Sequence, residues 1–217
     1  MDESQSMMPP VLTPGSMHDV LAKMVGRWKA QTKAYHDPNS PPFESQGLEE
    51  GEWVLGGLGV AYRYESDMGP MKFQGFGFTT WNQMENCYQG YWFDNMSPAG
   101  PAGFKGHYDP DTRTMTSNME CMGPSGYIIH QRLVDVWHDE DHRTFEIYRV
   151  RPEGEQLSLH IDYTREHQPA AAPRPRAAAR KARPAPKKKM AARGRPRPKT
   201  KAKAKTKRKT AKRAKRR

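Results

Sequence analysis

The residues of this chain whose types and spacing could do chemistry are a few histidines that lie close to carboxylates. His138 and His142 flank an acidic run, and imidazole and carboxylate groups at this density could bind a divalent cation. Polar turns between strands often have the same composition, so a plain turn is the alternative interpretation. His160 occupies a segment with strand-like alternation, where it shares a face with polar residues.

No established catalytic signature accompanies these histidines. The sequence contains no Gly-x-Ser-x-Gly elbow, no phosphate-binding glycine loop, no His-Glu-x-x-His motif and no Cys–His arrangement at a known spacing. It therefore predicts no catalytic residue and requires no cofactor. A binding protein is favoured over an enzyme.

Charge is divided very unevenly along the chain. Residues 168–217 contain 23 Lys or Arg with no acidic or aromatic residue, whereas the first 167 residues contain 13 Lys or Arg and 24 Asp or Glu. The net charge of +12 thus combines a tail of +23 with a preceding part of −11. A segment with so little apolar surface cannot offset the entropy lost on ordering. We predict a flexible N-terminus (1–15), one folded domain (16–167) and a disordered tail (168–217).

The tail suggests a polyanionic partner. Dense positive charge without aromatics suits neutralisation of DNA or RNA phosphates rather than base stacking. Its composition resembles the tails of linker histones and of bacterial histone-like proteins. Two alternatives are that it folds back on its own acidic domain or binds other polyanions.

One segment of the tail is more specific, because it resembles the core of an AT-hook. A glycine between two arginines lets the backbone approach a narrow A·T minor groove, where negative potential attracts the arginines. The proline that follows holds the chain extended. The candidate nucleic-acid contacts are Arg193, Gly194, Arg195, Pro196, Arg197 and Lys199.

The rest of the chain is organised around an apparent hairpin, FQGFGFTTWNQMENCYQGYWFDN (73–95). Two aromatic-rich segments with a short polar break between them predict paired antiparallel strands. Similar segments recur with turn signals every 8–12 residues after a short helix that begins near Ser16. This pattern favours an all-β antiparallel barrel of about 8–10 strands over a parallel α/β fold. The predicted strands are 28–35, 45–55, 58–65, 71–82, 87–94, 104–108, 114–121, 127–138, 144–151 and 157–165.

A barrel of this size is wide enough to hold one small ligand. Aromatic side chains mixed with polar groups favour a pocket for a small apolar or aromatic molecule over a fully packed core. The candidate pocket residues are Trp53, Tyr62, Tyr64, Phe76, Phe78, Gln89, Tyr91, Phe93, His107, Ile129, His130 and Leu133. The sequence does not determine the register of these strands, and a shift of one residue would turn every side chain to the opposite face of the sheet.

Several motifs resemble a known family, the bacterial lipocalin-like (calycin) proteins called DUF1579. They are LxxMVGRW (21–28), the Glu-x-x-Leu-Gly-Gly stretch (52–57), FQGFGF (73–78), YWFDNM (91–96), YDPDTRTMT (108–116) and the segment from HDEDHRTFEIYRV to DYTRE (138–166). The resemblance covers about residues 17–166. It implies a closed barrel and ligand binding, and it supplies no established reaction.

Lipocalin-like relatives also suggest roles for three residues. The tryptophan of their Gly-x-Trp motif packs against an arginine of the last strand, which implies a barrel-closing contact between Trp28 and Arg165. The related nitrobindin barrels hold haem through a histidine on a late strand. Haem ligation by His160 is therefore conceivable, although an exposed strand histidine beside a carboxylate is the commoner situation.

The remaining features indicate location. The acidic N-terminus lacks a signal-peptide pattern, and no apolar run approaches 18 residues, so we expect a cytoplasmic, nucleoid-associated protein. Cys87 and Cys121 are expected to be reduced, and a disulfide is the alternative if their strands are adjacent. The sequence as a whole predicts a small-ligand-binding barrel tethered to nucleic acid. A haem-binding or enzymatic barrel that the tail only localises, and a structural nucleoid protein without a ligand, remain alternatives.

Overall fold

Most of the described residues form strands, in which buried and exposed side chains alternate. The computed structural model describes residues 11–37, 39–123 and 125–166. These residues form a short helix α1 (Ser16–Asp19), 3-10 helices at Val20–Met24 and Leu55–Gly57, and ten strands. The strands are β1 (Gly26–Ala34), β2 (Phe43–Val54), β3 (Gly59–Met68), β4 (Met71–Asn82), β5 (Cys87–Asp94), β6 (Ala102–Asp109), β7 (Thr114–Met122), β8 (Ile128–Trp137), β9 (His142–Arg151) and β10 (Gly154–Arg165).

The strands form a closed antiparallel barrel. Each strand pairs with its neighbours in the sequence, and β1 pairs with β2 on one side and with β10 on the other. The prediction of an all-β antiparallel barrel with a short N-terminal helix is confirmed, and every strand boundary falls within three residues of its predicted place. The predicted tail and most of the predicted N-terminal segment lie outside the described residues, so the domain boundaries stay predictions.

The N-terminal helical turns close one end of the barrel. Leu21 is completely buried in a cluster that includes Val60 and Tyr88. The Tyr88 hydroxyl also donates a hydrogen bond of 2.8 Å to the carbonyl oxygen of Met17. Apolar packing and this hydrogen bond together hold α1 and the following 3-10 helix over the strand ends.

The two cysteines lie on strands that are not neighbours. Cys87 begins β5 and Cys121 lies near the end of β7, with β6 between these strands. Both thiols are free, as expected for cysteines on strands that are not adjacent.

Candidate functional site

The barrel encloses a cavity of about 460 Å³ that is lined by residues from all ten described strands. Its exposed lining residues are His36, Phe43 and Met96, which lie at the barrel end opposite α1. We call these three residues the mouth. The cavity therefore opens at one end, and the N-terminal helical turns cover the other.

Glycines on β4 create room inside the barrel for aromatic rings from its neighbours. A Cβ atom on Gly77 would lie 2.0 Å from the ring of Tyr62, and one on Gly75 would lie 2.2 Å from the ring of Trp92. These two rings stack with their centroids 6.2 Å apart, and both line the cavity. The face of β4 that points inward is therefore the glycine face, which permits a close approach.

Of the twelve candidate pocket residues, three line the cavity and seven face outward. The three that line it are Tyr62, Tyr64 and Leu133. Trp53 and Ile129 share the inward face but lie outside the cavity lining, and Trp53 packs on the core beneath α1. The residues that face outward are Phe76, Phe78, Gln89, Tyr91, Phe93, His107 and His130.

Outward residues have partners on the barrel surface instead of in the cavity. The rings of Phe76 and Phe93 pair at 5.6 Å, and the Gln89 side-chain oxygen accepts a hydrogen bond of 3.0 Å from Asn82. His130 lies 3.1 Å from Glu120. Because β4 and β5 carry large aromatics on both faces, hydrophobicity alone could not decide which face turns inward.

A buried charged cluster lies at the covered end of the cavity. Arg143 Nη1 donates a hydrogen bond of 2.8 Å to Asp135 Oδ2, and Arg143 Nη2 donates another to Glu49 Oε1. The Tyr163 hydroxyl donates to the second Glu49 oxygen at 3.1 Å. We call Glu49, Asp135, Arg143 and Tyr163 the floor, because all four line the cavity and all are buried.

The floor holds one cation against two carboxyl groups. Loss of hydration raises the pKa of Asp135 to about 6, an effect that the Arg143 guanidinium only partly offsets. Burial alone would lower the pKa of Arg143, but Asp135 and Glu49 outweigh that effect and raise it. Burial also raises the pKa of Tyr163, so its phenol stays protonated. With both carboxyls ionised, the floor carries a net charge of −1.

The predicted ligating histidines lie away from the cavity. His160 faces outward, with Nδ1 3.0 Å from Glu146 and Nε2 3.2 Å from Asp162, so carboxylates occupy both ring nitrogens and the residue does not line the cavity. His142 lies 2.9 Å from Asp139, and His138 lies 3.1 Å from the Thr144 hydroxyl. No group of three or more His, Cys, Asp or Glu in the described ranges could hold a metal. The HDEDH segment is a polar turn.

Trp28 lies between two arginines at the covered end. The guanidinium carbon of Arg165 lies 4.0 Å from the centroid of the Trp28 ring, and that of Arg143 lies 5.0 Å from it. Arg165 belongs to β10 and Trp28 to β1, so their contact joins the last strand to the first. Arg143 belongs to the floor, so its contact with Trp28 places the floor next to the junction of the first and last strands.

The sequence contained two usable signals for the floor that the pocket prediction missed. Asp135 follows Leu133 by two residues, so once Leu133 faces inward, Asp135 faces inward too. Tyr163 precedes Arg165 by the same spacing. Glu49 and Arg143 carried no comparable signal, because their meeting depends on closure of the whole barrel. The candidate nucleic-acid residues, Arg193 to Lys199, lie outside the described part of the chain.

A closed antiparallel barrel with a one-ended internal cavity is the architecture of a lipocalin-like protein. The chain belongs to the family described as "Protein of unknown function (DUF1579)", whose model matches residues 13–165. No curated protein matches it. Over residues 11–37, 39–123 and 125–166, no helix is long and apolar enough to cross a membrane.

Solved structures share the fold at low sequence identity. Rv2717c from M. tuberculosis has a TM-score of 0.51 and 13% identity, covering 70% of this chain and 99% of that one. The S-type phycobiliprotein lyase CPES from Guillardia theta has a TM-score of 0.49 and 10% identity, covering 71% of this chain and 94% of that one. At 13% identity, the likeness to Rv2717c supports the barrel fold alone.

Proposed function

We propose that the barrel binds a small, largely apolar molecule inside its cavity. The observation that carries this proposal is a cavity of about 460 Å³ with aromatic and aliphatic walls, a polar floor and a mouth at one end. Protein interiors are otherwise close-packed, with few voids larger than a water molecule. Pockets for small molecules typically measure about 300–1,000 Å³ and combine apolar walls with a few polar groups.

The competing proposal is a structural barrel with no ligand. The two proposals differ in whether the cavity serves binding or only lowers the stability of the fold. Cavities in cores destabilise a protein in proportion to their volume, so a void of this size is costly when it has no occupant. Apolar side chains that filled it would remove that cost. The chain instead keeps a cavity there, and the rings of Trp92 and Tyr62 lie against Gly75 and Gly77 on the inner face of β4.

A fluorescence experiment tests binding. The neutral dye N-phenylnaphthylamine is titrated into the full-length protein, and saturable brightening with a blue shift is the expected result. Leu133→Trp adds an indole to the cavity lining and should abolish this signal, whereas His130→Trp adds one to the outer face of the same strand and should leave it unchanged. Equal dye binding by both variants, or no saturable binding by the parent, would refute the proposal.

A second function is carried by the charge of the tail. We propose that residues 168–217, with 23 Lys or Arg and no acidic residue, tether the barrel to DNA or RNA. Binding by phosphate neutralisation should weaken with salt, with a log–log slope of about −0.9 for each phosphate contacted on duplex DNA. The Arg-Gly-Arg-Pro segment should add a preference for AT-rich duplexes through the minor groove.

A salt series separates these claims. The full chain and a 1–167 truncation are compared on AT-rich and GC-rich duplexes, and only the full chain should bind with a steep salt slope. Replacing Arg193 and Arg195 with alanine should remove the AT preference, while the same change at Arg174 and Arg176, which also flank a proline, should preserve it. Equal affinity for both duplexes rejects the AT-hook. If neither the full chain nor the truncation binds near physiological salt, nucleic acid is rejected as the partner, and the acidic domain or another polyanion is favoured.

A further inference from the structure

We propose that the floor of the barrel binds the positively charged, hydrogen-bond-donating end of its ligand. The cavity would then take organic cations with an apolar body, such as alkylamines, amidines or protonated aromatic heterocycles, and would discriminate against carboxylates. This inference rests on the proposed binding function and names the ligand class that the same cavity selects.

Asp135 supplies the acceptor that points to a donor on the ligand. Its Oδ2 atom accepts from Arg143, but Oδ1 is buried and has no hydrogen-bond partner among the residues that the structure describes. A buried acceptor without a donor is unfavourable, because the group has lost water and gained nothing in return. Asp135 lines the cavity, so a donor group on a ligand bound there would lie next to this carboxyl group.

The negative charge of the floor favours a positively charged donor group on the ligand. One guanidinium stands between two carboxyl groups, and the phenol of Tyr163 adds no charge. Glu49 accepts from both Arg143 and Tyr163, whereas Asp135 accepts only from Arg143 among the described residues and keeps one oxygen without a donor. A cation at Asp135 would bring the floor from −1 to neutrality, and in a buried site that interaction is much stronger than in water.

Arg143 is a poor alternative site for an anion. Its two terminal nitrogens face Asp135 and Glu49, and its guanidinium carbon lies 3.9 Å from the Tyr163 ring centroid. Its Nε donor is also buried and has no partner within the described ranges. A ligand carboxylate at Nε would lie close to the carboxylates of Asp135 and Glu49, which both pair with Arg143. Like charges repel strongly in such a buried site.

The walls next to the floor also suit a cation. Tyr62 and Trp92 stack on each other and both line the cavity, so π faces are available to a charged group as it approaches. Cations bind favourably over such faces, most strongly when both partners are desolvated. A carboxylate would gain nothing from these rings.

Matched amphiphiles test the inference in the full-length protein. Decylamine, decanol and decanoate compete with N-phenylnaphthylamine near pH 8, where an alkylammonium stays charged because amine pKa values lie near that of lysine, about 10.4. The amine should bind about ten-fold tighter than the alcohol, which corresponds to one charge-assisted hydrogen bond, and decanoate should bind more weakly than the alcohol.

Variants then locate the selecting group. Asp135→Asn keeps the shape but removes the charge, so the amine should lose about ten-fold in affinity while the alcohol is unchanged. Asp162→Asn makes the same change on the outer face of the barrel and should alter nothing. Glu49→Gln provides a second change of floor charge if Asp135→Asn fails to fold.

The outcomes separate this inference from the proposal beneath it. If decanol binds and decylamine shows no advantage over decanoate, the cavity still binds ligands but the cation selectivity is wrong. If the amine advantage persists in Asp135→Asn, the floor is not its source, and the inference falls. If none of the three compounds displaces the dye and the dye itself does not bind, the proposed function and this inference fall together.

Discussion

Replacing Arg165 with methionine should weaken the closure of the barrel. The Arg165 guanidinium covers Trp28 with 4.0 Å between its carbon and the ring centroid. It also donates hydrogen bonds of 2.6 Å to the Val25 carbonyl oxygen and 2.8 Å to that of Glu140. Methionine keeps much of the aliphatic contact and removes the charge and every donor, so the change isolates the guanidinium.

The expected loss follows from these contacts. A guanidinium over an indole contributes about 0.5–2 kcal/mol, and a hydrogen bond from a charged donor contributes about 1.5–3 kcal/mol. Glu140 is exposed, so water can replace the bond to its carbonyl, whereas Val25 is buried and its carbonyl loses a partner. We therefore expect Arg165→Met to lower the free energy of unfolding by about 2–4 kcal/mol, below the sum of the separate contributions.

Urea unfolding followed by tryptophan fluorescence measures the change, provided that the denaturant slope is the same in both proteins. Arg151→Met is the matched control, because that side chain is 43% exposed and meets Glu153 only at 3.8 Å. The control should change stability by less than about 0.5 kcal/mol. An Arg165→Met effect no larger than the control would refute the view that this arginine joins the last strand to the first.

Two further predictions concern the interior. Gly77→Ala should lower the melting temperature by several degrees, because the added Cβ would lie 2.0 Å from the buried Tyr62 ring. Gly103→Ala is the control and should not lower it, because its Cβ would meet an exposed ring edge at 3.3 Å. Equal melting temperatures for the two variants would contradict this prediction. For pH, Asp135 has a pKa of about 6 in the folded protein and about 3.9 when unfolded, so the folded state binds the extra proton. As pH falls from about 6 to about 4, the parent should therefore gain stability relative to Asp135→Asn, and parallel stability curves for the two proteins would show that Asp135 is not the group responsible.

The strands could be predicted from the sequence because turn chemistry and alternation are local. Both strands of the hairpin at 71–82 and 87–94 lie where the Gln83–Asn86 break places them. Which face turns inward could not be predicted, since β4 carries apolar residues on both faces. The decision depends on the Tyr62 ring filling the space beside Gly77, which is a contact between strands.

The contact between Glu49 and Arg143 in the floor could not be predicted from the sequence for a related reason. Glu49 and Arg143 are 94 positions apart and meet only because β1 pairs with β10 and closes the barrel. By contrast, the contact between Trp28 and Arg165 was available from the family resemblance, which supplied the pairing that spacing alone could not.

The N-terminal cover of the barrel determines how any occupant must travel. Leu21 fills the end beneath α1, so within the described residues the interior is closed at that end and opens at the mouth. A molecule that bound there would leave by the way it entered, and the part that entered first would be the last to leave. Whichever end entered last would stay next to the mouth, within reach of a second molecule.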